Sequence, residues 1–492
     1  MISENQMLSQ IITIWIVVIL LALLVFFRAK VARLIIEFFT AKTHPVNLAV
    51  FRIMAFGLYL KWEPTEALLF SEFPKELLFV PEGLRWIIPY IPIDPSIVNL
   101  LVPLFKIFVF FAMVGFFSQF SAAMTALLAI YLFGIPQLYG KVTHYHHIIW
   151  FWMILAASPC GHALSIDALI KRWKNRKDKI YVPLQESIIY ALPIRFIWLL
   201  IGYIYFSAGF WKWRVGGLDW IFSNNLIYRL YFKWIEFPGW TPSFRIDHYP
   251  LVCQFLALGV IVFEISFIFL IFFPRLRYVA IAAGLMFHQM TRFFMRIYSI
   301  DLYYSYIVFF DWYKIFWKLC NKFNLKWTTT VREISTHKNQ QLNLRKHLIP
   351  TIIVGVILVV GNFYCGFKNI HSWPFSCYPT FANPFLIPYT SQLEAVLVTD
   401  GGREISFRDS TLGSQLPSYR FSGLMKAIFF TENPQLQKKR FNALWEYIKS
   451  KDPSADRFKA IRFYEKAIIL IPEESFRNPI EKKLLFEIQV KN

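Results

Sequence analysis

The sequence predicts an all-α polytopic membrane bundle of about ten spans with a small α+β extracytoplasmic domain at its C-terminal end. Three observations predict this architecture. Hydrophobic residues make up 56% of the 492 and charged residues only 17%, whereas a soluble chain of this length needs a more charged surface. Apolar runs long enough to cross a hydrocarbon core recur as far as Tyr364. After Gln392 they give way to short alternating runs and amphipathic helical spacing.

The first uncharged run, Ile11 to Phe27, is followed by Arg28, Lys30 and Arg33. Basic residues after the run, and not before it, mark a retained first span entering the cytoplasm and argue against a cleavable signal peptide. Residues 1–45 are therefore a first span and a basic cytoplasmic segment. The second run, Val46 to Trp62, carries Arg52 inside it. Six prolines between Pro64 and Pro95 then break the chain into amphipathic pieces lying on the outer face.

Further spans are expected at Ile97 to Phe117, Ala122 to Tyr139, and from the cluster His144, His146 and His147 to about Pro159. The series continues with Ser187 to Trp211, Leu251 to Phe273, Tyr278 to Arg292, Leu302 to Leu319 and Ile349 to Tyr364. The organisation is a membrane bundle over 46–320, a basic cytoplasmic loop over 321–348 and a last span over 349–364. A proline- and aromatic-rich cap or linker over 365–391 leads to the domain of 392–492.

The formal charge of +21 is read as topology, since basic residues of membrane proteins collect in cytoplasmic loops. The segments Lys171 to Lys179, Pro274 to Arg277 and Lys314 to His347 all fall on one side of the alternating count. Nothing resembles a nucleic-acid module, so no nucleic-acid partner is expected. The same count places Lys212, the histidine cluster and the tail on the outer side.

Cys160, Cys253 and Cys320 lie at or in spans and read as small apolar packing residues. Cys365 and Cys377 follow the last span in a compartment expected to be oxidising, which makes a disulfide between them an expectation. The histidine cluster has no thiolate or close carboxylate beside it, and no metal is predicted. In the tail, VLVTDGGREISF reads as a hairpin, Pro434 to Ser450 and Asp456 to Glu465 as helices, and Lys483 to Val490 as a last strand.

Polar groups inside apolar runs are the candidate functional residues. Lys212 closes the run YIYFSAGFWKWRVGGLDW, Tyr203 to Trp220. Two readings stand: an interfacial anchor among tryptophans, or an amine kept dry enough to act as a base. Glu264 sits in the middle of VIVFEISFIF, and Arg52 is its expected partner from another span. That pair either pins two helices or supports a ligand cavity. His288, Arg292 and Arg296 recur at four-residue steps, close to one helical face.

Four pieces, VNLAVFRIMAFGLYL, HHIIWFWMILAASPCGHALSIDAL, RFIWLLIGYIYFSAGFWKW and FHQM, together resemble the integral-membrane domain shared by vitamin K-dependent γ-glutamyl carboxylases and the HTTM group. The resemblance covers roughly 45–318. It implies a lyase in which Lys212 is the base on a reduced quinone, vitamin K or menaquinone, with His147 assisting and His288 close to the quinone cavity. Arg52, Glu264 and Arg292 are expected to line that cofactor cavity. The implied partners are membrane lipid and a secreted peptide. Departures from the carboxylase pattern are Trp211 in place of a second lysine, His146 in place of asparagine, and a tail too short for the large lumenal region. The alternative is an HTTM-domain protein that binds or moves a lipid-like ligand or helps mature a secreted peptide.

Overall fold

A computed structural model describes residues 4–62, 64–85, 90–140, 142, 145–176, 185–237, 239–323, 344–410, 413–414, 418–429, 431, 433–472 and 481–490. His144, most of the basic loop expected at 321–348 and the end of the Lys171 to Lys179 segment lie outside these residues.

The chain is a helical bundle followed by a four-stranded antiparallel sheet packed on two helices. Its helices are α1 (Glu4–Phe26), α2 (Arg28–Thr40), α3 (Pro45–Gly57), α4 (Thr65–Ser71), α5 (Pro95–Val114), α6 (Ser118–Leu132), α7 (His146–Ala156) and α8 (Ile166–Arg176). They continue with α9 (Ile188–Phe222), α10 (Asn225–Ile235), α11 (Pro250–Leu270), α12 (Pro274–Met295), α13 (Ile300–Ser305), α14 (Trp312–Lys322) and α15 (Leu344–Lys368).

Among the described residues, six helical segments are long and apolar enough to cross a membrane: α1, α5, Ser118–Leu138, α9, α11 and α15. This makes the protein multi-pass and leaves the count of ten unconfirmed. The difference has local causes. The Val46 to Trp62 run is helical only over Pro45–Gly57, and the run starting at the histidines only over His146–Ala156, each too short to span alone. Leu302 to Leu319 is not one helix. It breaks at Phe310, whose extended backbone precedes Asp311, and the Asp311 side chain caps α14 by accepting from the Lys314 N–H.

The central element is α9, buried along most of its length. Ser187 caps its start by accepting from the Ile189 N–H. Its straight part is about 44 Å long at the usual helical rise, and it ends at Gly217, whose φ of 50° and ψ of −132° only glycine adopts at little cost. Gly202 and Gly209, one heptad apart on α9, lie against Ile268 and Glu264 of α11. Small residues at these points let the two backbones approach closely, which is how helices associate where no hydrophobic gain is available.

Arg52 of α3 is fully buried and its guanidinium clamps backbone carbonyls. It donates to Cys160 O at 2.6 Å, to Ala163 O at 3.3 Å, to Met113 O at 3.4 Å and also to Leu164 O. Asp167 completes the knot, accepting from the Phe117 and Ser118 N–H groups at 2.9 and 2.7 Å at the start of α6. An intramembrane arginine thus has its partners in loop carbonyls and not in Glu264.

The tail contains β1 (Tyr389–Thr399), β2 (Glu404–Ser406), β3 (Phe458–Ile469) and β4 (Glu481–Gln489), in the order β2-β1-β3-β4, all antiparallel. The Gly401–Gly402 turn forms the hairpin read from the sequence, with Gly402 at φ +81°. The helices α16 (Ser418–Phe429) and α17 (Pro434–Lys451) bury Leu424, Ile428, Phe441, Leu444 and Ile448. The helix expected at Asp456 to Glu465 is corrected: most of it is β3, whose central position between β1 and β4 satisfies its backbone on both edges. Arg420 ties this domain to the bundle, with Nε and Nη2 each 3.0 Å from Glu66 Oε2 of α4 and Nη1 2.9 Å from Pro136 O.

The disulfide expectation is also corrected. Cys365 and Cys377 are free, buried thiols. The Cys377 N–H instead donates to Ile370 O at 3.1 Å, closing a turn in the strap after α15.

Candidate functional site

Lys212 lies one turn before the break in α9, and Glu264 lies in α11 directly across from Gly209. The Lys212 Nζ is 2.6 Å from both Glu264 carboxylate oxygens, and both side chains are only 3% exposed. Glu264 therefore pairs with Lys212, correcting the expected Arg52 partner. Both charges would be costly singly in a bilayer, and as a pair they carry no net charge. At 2.6 Å a proton can pass from ammonium to carboxylate, giving a neutral amine and acid without building net charge. That is the condition for a lysine to act as a base in a dry site.

The break at Gly216–Gly217 turns the chain so that Trp220 comes back over the amine, with Lys212 Nζ 5.6 Å from its ring centroid. A β-carbon on Gly216 would lie 2.8 Å from the Trp220 Cβ. The guanidinium of Arg229 from α10 is 5.9 Å from the same ring, and its Nε donates to Asn225 Oδ1 at 3.0 Å. From the other side α1 supplies a seam of polar residues at four-residue spacing. Asn5 donates to Asp219, Ser9 Oγ accepts from the Leu218 N–H at 2.9 Å, and Thr13 Oγ1 accepts from Trp213 Nε1 at 2.7 Å.

The strap over 370–385 closes the mouth of the bundle. Trp220 Nε1 donates to Phe381 O at 3.0 Å, and the Phe385 N–H to Asn225 Oδ1 at 2.9 Å. Arg229 donates to Asn383 O. Farther along, Tyr203 OH donates to Ser376 O at 2.8 Å and Trp150 Nε1 to Pro374 O at 2.8 Å. Arg229 and the placement of Trp220 over the amine escaped sequence reasoning, although the Gly-Gly pair after Lys212 was a visible signal for a reversal of direction.

His288 of α12 is buried and its Nε2 lies 2.6 Å from Tyr205 OH, which accepts from Tyr306 OH at 2.9 Å. His147 is buried at the start of α7, its ring 5.8 Å from that of Phe151. Its neighbour His146 reaches the strap, with Nε2 3.1 Å from Ser372 O. Arg292 is exposed and its guanidinium stands 5.4 Å over the Tyr298 ring. The fold thus brings Lys212 to Glu264 and His288 to Tyr205. Arg52 lies in the carbonyl knot and Arg292 on the surface.

Two spaces accompany these groups. A cavity of about 480 Å³ opens at the bundle mouth, lined among others by Glu82, Arg85, Gln137, His371 and Thr380. Burial pulls the His371 imidazole below its usual range. A crevice between α9 and α15 is lined by Tyr203, Phe206, Phe210, Phe363 and Phe367, with room of about 10 Å³. No group of three or more histidine, cysteine or carboxylate side chains is placed to hold a metal among the described residues.

The fold and site define a multi-pass α-helical membrane protein with a buried lysine–carboxylate pair beneath an ordered strap. The chain belongs to the HTTM family: the HTTM domain matches residues 40–318, which include Lys212, Glu264, His147, His288, Arg52 and Arg292. No curated protein and no solved structure matches the chain.

Proposed function

We propose that this protein is a membrane enzyme of the carboxylase type, in which Lys212 serves as the base toward a reduced quinone. The observation that carries the reading is the Lys212–Glu264 contact, 2.6 Å to both oxygens with both side chains buried. Membership of the HTTM family supports it, without fixing the reaction, because a shared fold hosts different functions. When bound, a reduced vitamin K or menaquinone reacting with oxygen supplies a base strong enough to remove a γ-proton from glutamate, after which carbon dioxide adds.

The residues present suit such a partner in chemical type. Glu264, holding the proton that Lys212 has given up, sets the neutral amine, which takes the phenolic proton and stays as the ammonium beside the quinol anion. Trp220 gives the ring face and, with the strap, keeps water out. His288, held by Tyr205, and His147 at the start of α7 are the further polar groups of this reading. The acceptor, a secreted peptide, enters from the outer side through the 480 Å³ cavity, where Arg85 suits a carboxylate. The tail domain then faces the same side.

The test is oxidation of reduced vitamin K or menaquinone by the purified protein in lipid, with a glutamate peptide and labelled bicarbonate. Epoxide formation and labelled peptide are expected, both lost in Lys212→Ala. Quinol turnover that does not depend on Lys212 sinks the reading. A second reading, a bundle that binds or moves a lipid-like ligand, rests on HTTM membership alone. It predicts lipid capture with no quinol turnover.

A further inference from the structure

The guanidinium carbon of Arg195, in the second turn of α9, lies 3.9 Å from the centroid of the Trp198 ring. That of Arg277, in the first turn of α12, lies 4.3 Å from the same centroid. The two guanidinium carbons are therefore at most 8.2 Å apart, the sum of those distances. Trp198 is fixed in place, its Nε1 donating to Val308 O at 3.1 Å and its ring stacked on Phe309. Phe38 of α2 closes another side, 5.2 Å from the Arg195 guanidinium.

Two cations held this close call for anions, and the described residues supply none. The ion pairs among them include neither Arg195 nor Arg277. Glu37, next to Phe38, is exposed and pairs with neither. Arg195 Nε and Nη1 are sealed from solvent with no hydrogen-bond partner. Arg277 uses one donor, its Nε, on Ile271 O at 2.9 Å. Two guanidinium groups against one fixed ring, with donors unused, suit a phosphate ester, which guanidinium binds in bidentate fashion.

The surroundings indicate an amphiphilic anion. Phe273, Leu276 and Tyr278, around Arg277 in sequence, are 43, 44 and 66% exposed. An acyl chain can lie on these side chains while its headgroup reaches the arginines, and exposed Arg275 adds a further positive charge. We propose that Arg195, Trp198 and Arg277 form a binding site for a phosphate ester, occupied by the headgroup of an acidic phospholipid. This site is separate from Lys212 and does not rest on the quinol reading.

The test is native mass spectrometry of the full chain released from nanodiscs of phosphatidylcholine with or without phosphatidylglycerol, with inorganic phosphate as a separate arm. Wild type is expected to retain phosphatidylglycerol in preference to phosphatidylcholine. Arg195→Gln and Arg277→Gln should each weaken retention about fivefold, and Arg275→Gln much less. Because Arg195 is deep and its loss could disturb folding, the exposed-side variant Arg277→Gln alone must show the effect at an unchanged unfolding temperature. Binding of inorganic phosphate with the same arginine dependence keeps the site and makes free phosphate its ligand. Equal retention by wild type and Arg277→Gln, or an equal loss in Arg275→Gln, overturns the proposal.

Discussion

Gly209 of α9 faces Glu264 of α11 so closely that a β-carbon added to the glycine would come within 2.8 Å of the Glu264 Cβ. The same added atom would stand 3.0 Å from the Ile265 backbone nitrogen, which cannot swing aside. The lysine–carboxylate contact therefore depends on a glycine three residues before the lysine. Gly209→Ala is expected to push the helices apart and lower stability by roughly 1–3 kcal/mol. Thermal unfolding in detergent reads the stability, and a wild-type melting curve for Gly209→Ala overturns the packing argument.

Lys212 and Glu264 should behave as one unit. Removing either partner leaves the other charge buried, at roughly 3–5 kcal/mol, whereas replacing both by apolar residues of similar size costs far less. Lys212→Met and Glu264→Leu are thus expected to be unstable singly and close to wild type together. A double-mutant cycle measured by denaturation supplies the coupling. Under the quinol reading the stable double variant is inactive, which separates the structural from the chemical role.

Arg420 holds the tail domain to the bundle through Glu66 and Pro136 O. Arg420→Ala breaks a charge-assisted contact worth roughly 2–3 kcal/mol. The expected result is faster proteolytic release of the tail, with the bundle still folded. Unchanged proteolysis would show that the remaining contacts suffice.

Glu404 gives the tail a pH dependence. Burial alone would raise its pKa, but bonds from Tyr464, Lys482 and Arg462 outweigh burial and hold the carboxyl at about 2, against an ordinary 4.5. A carboxyl depressed in the folded state contributes its full stabilisation above the unfolded value and loses it as protons bind. Protection of the β1, β3 and β4 amides from hydrogen exchange should therefore weaken as pH falls from about 4.5 towards about 2. Glu404→Gln should flatten that slope. A slope unaltered by the substitution would assign the acid sensitivity to other groups.

Much of the architecture was legible because hydropathy and turn chemistry are local. The apolar runs at α1, α5, α9, α11 and α15 and the Gly401–Gly402 hairpin can be read residue by residue, and so can the anomaly of Lys212 and Glu264 within apolar segments. Family membership was legible for the same reason, in the order and spacing of short segments. Element type failed where local preference was overruled. Asp456 to Glu465 has helical spacing, yet most of it is a strand between two others, because a central position in a sheet completes its backbone hydrogen bonds.

By itself, then, the sequence determined that this chain lives in a membrane and that a lysine and a glutamate inside it need partners. Only the tertiary structure decided that they are each other's partner and that Arg52 serves loop carbonyls instead. It also decided that Trp220 and the strap cover the pair and that Cys365 and Cys377 stay apart as thiols. The physical reason is that burial follows from each residue's own chemistry. Pairing depends on how helices far apart in the chain rotate and approach, and here that approach is set by the glycines at 202 and 209.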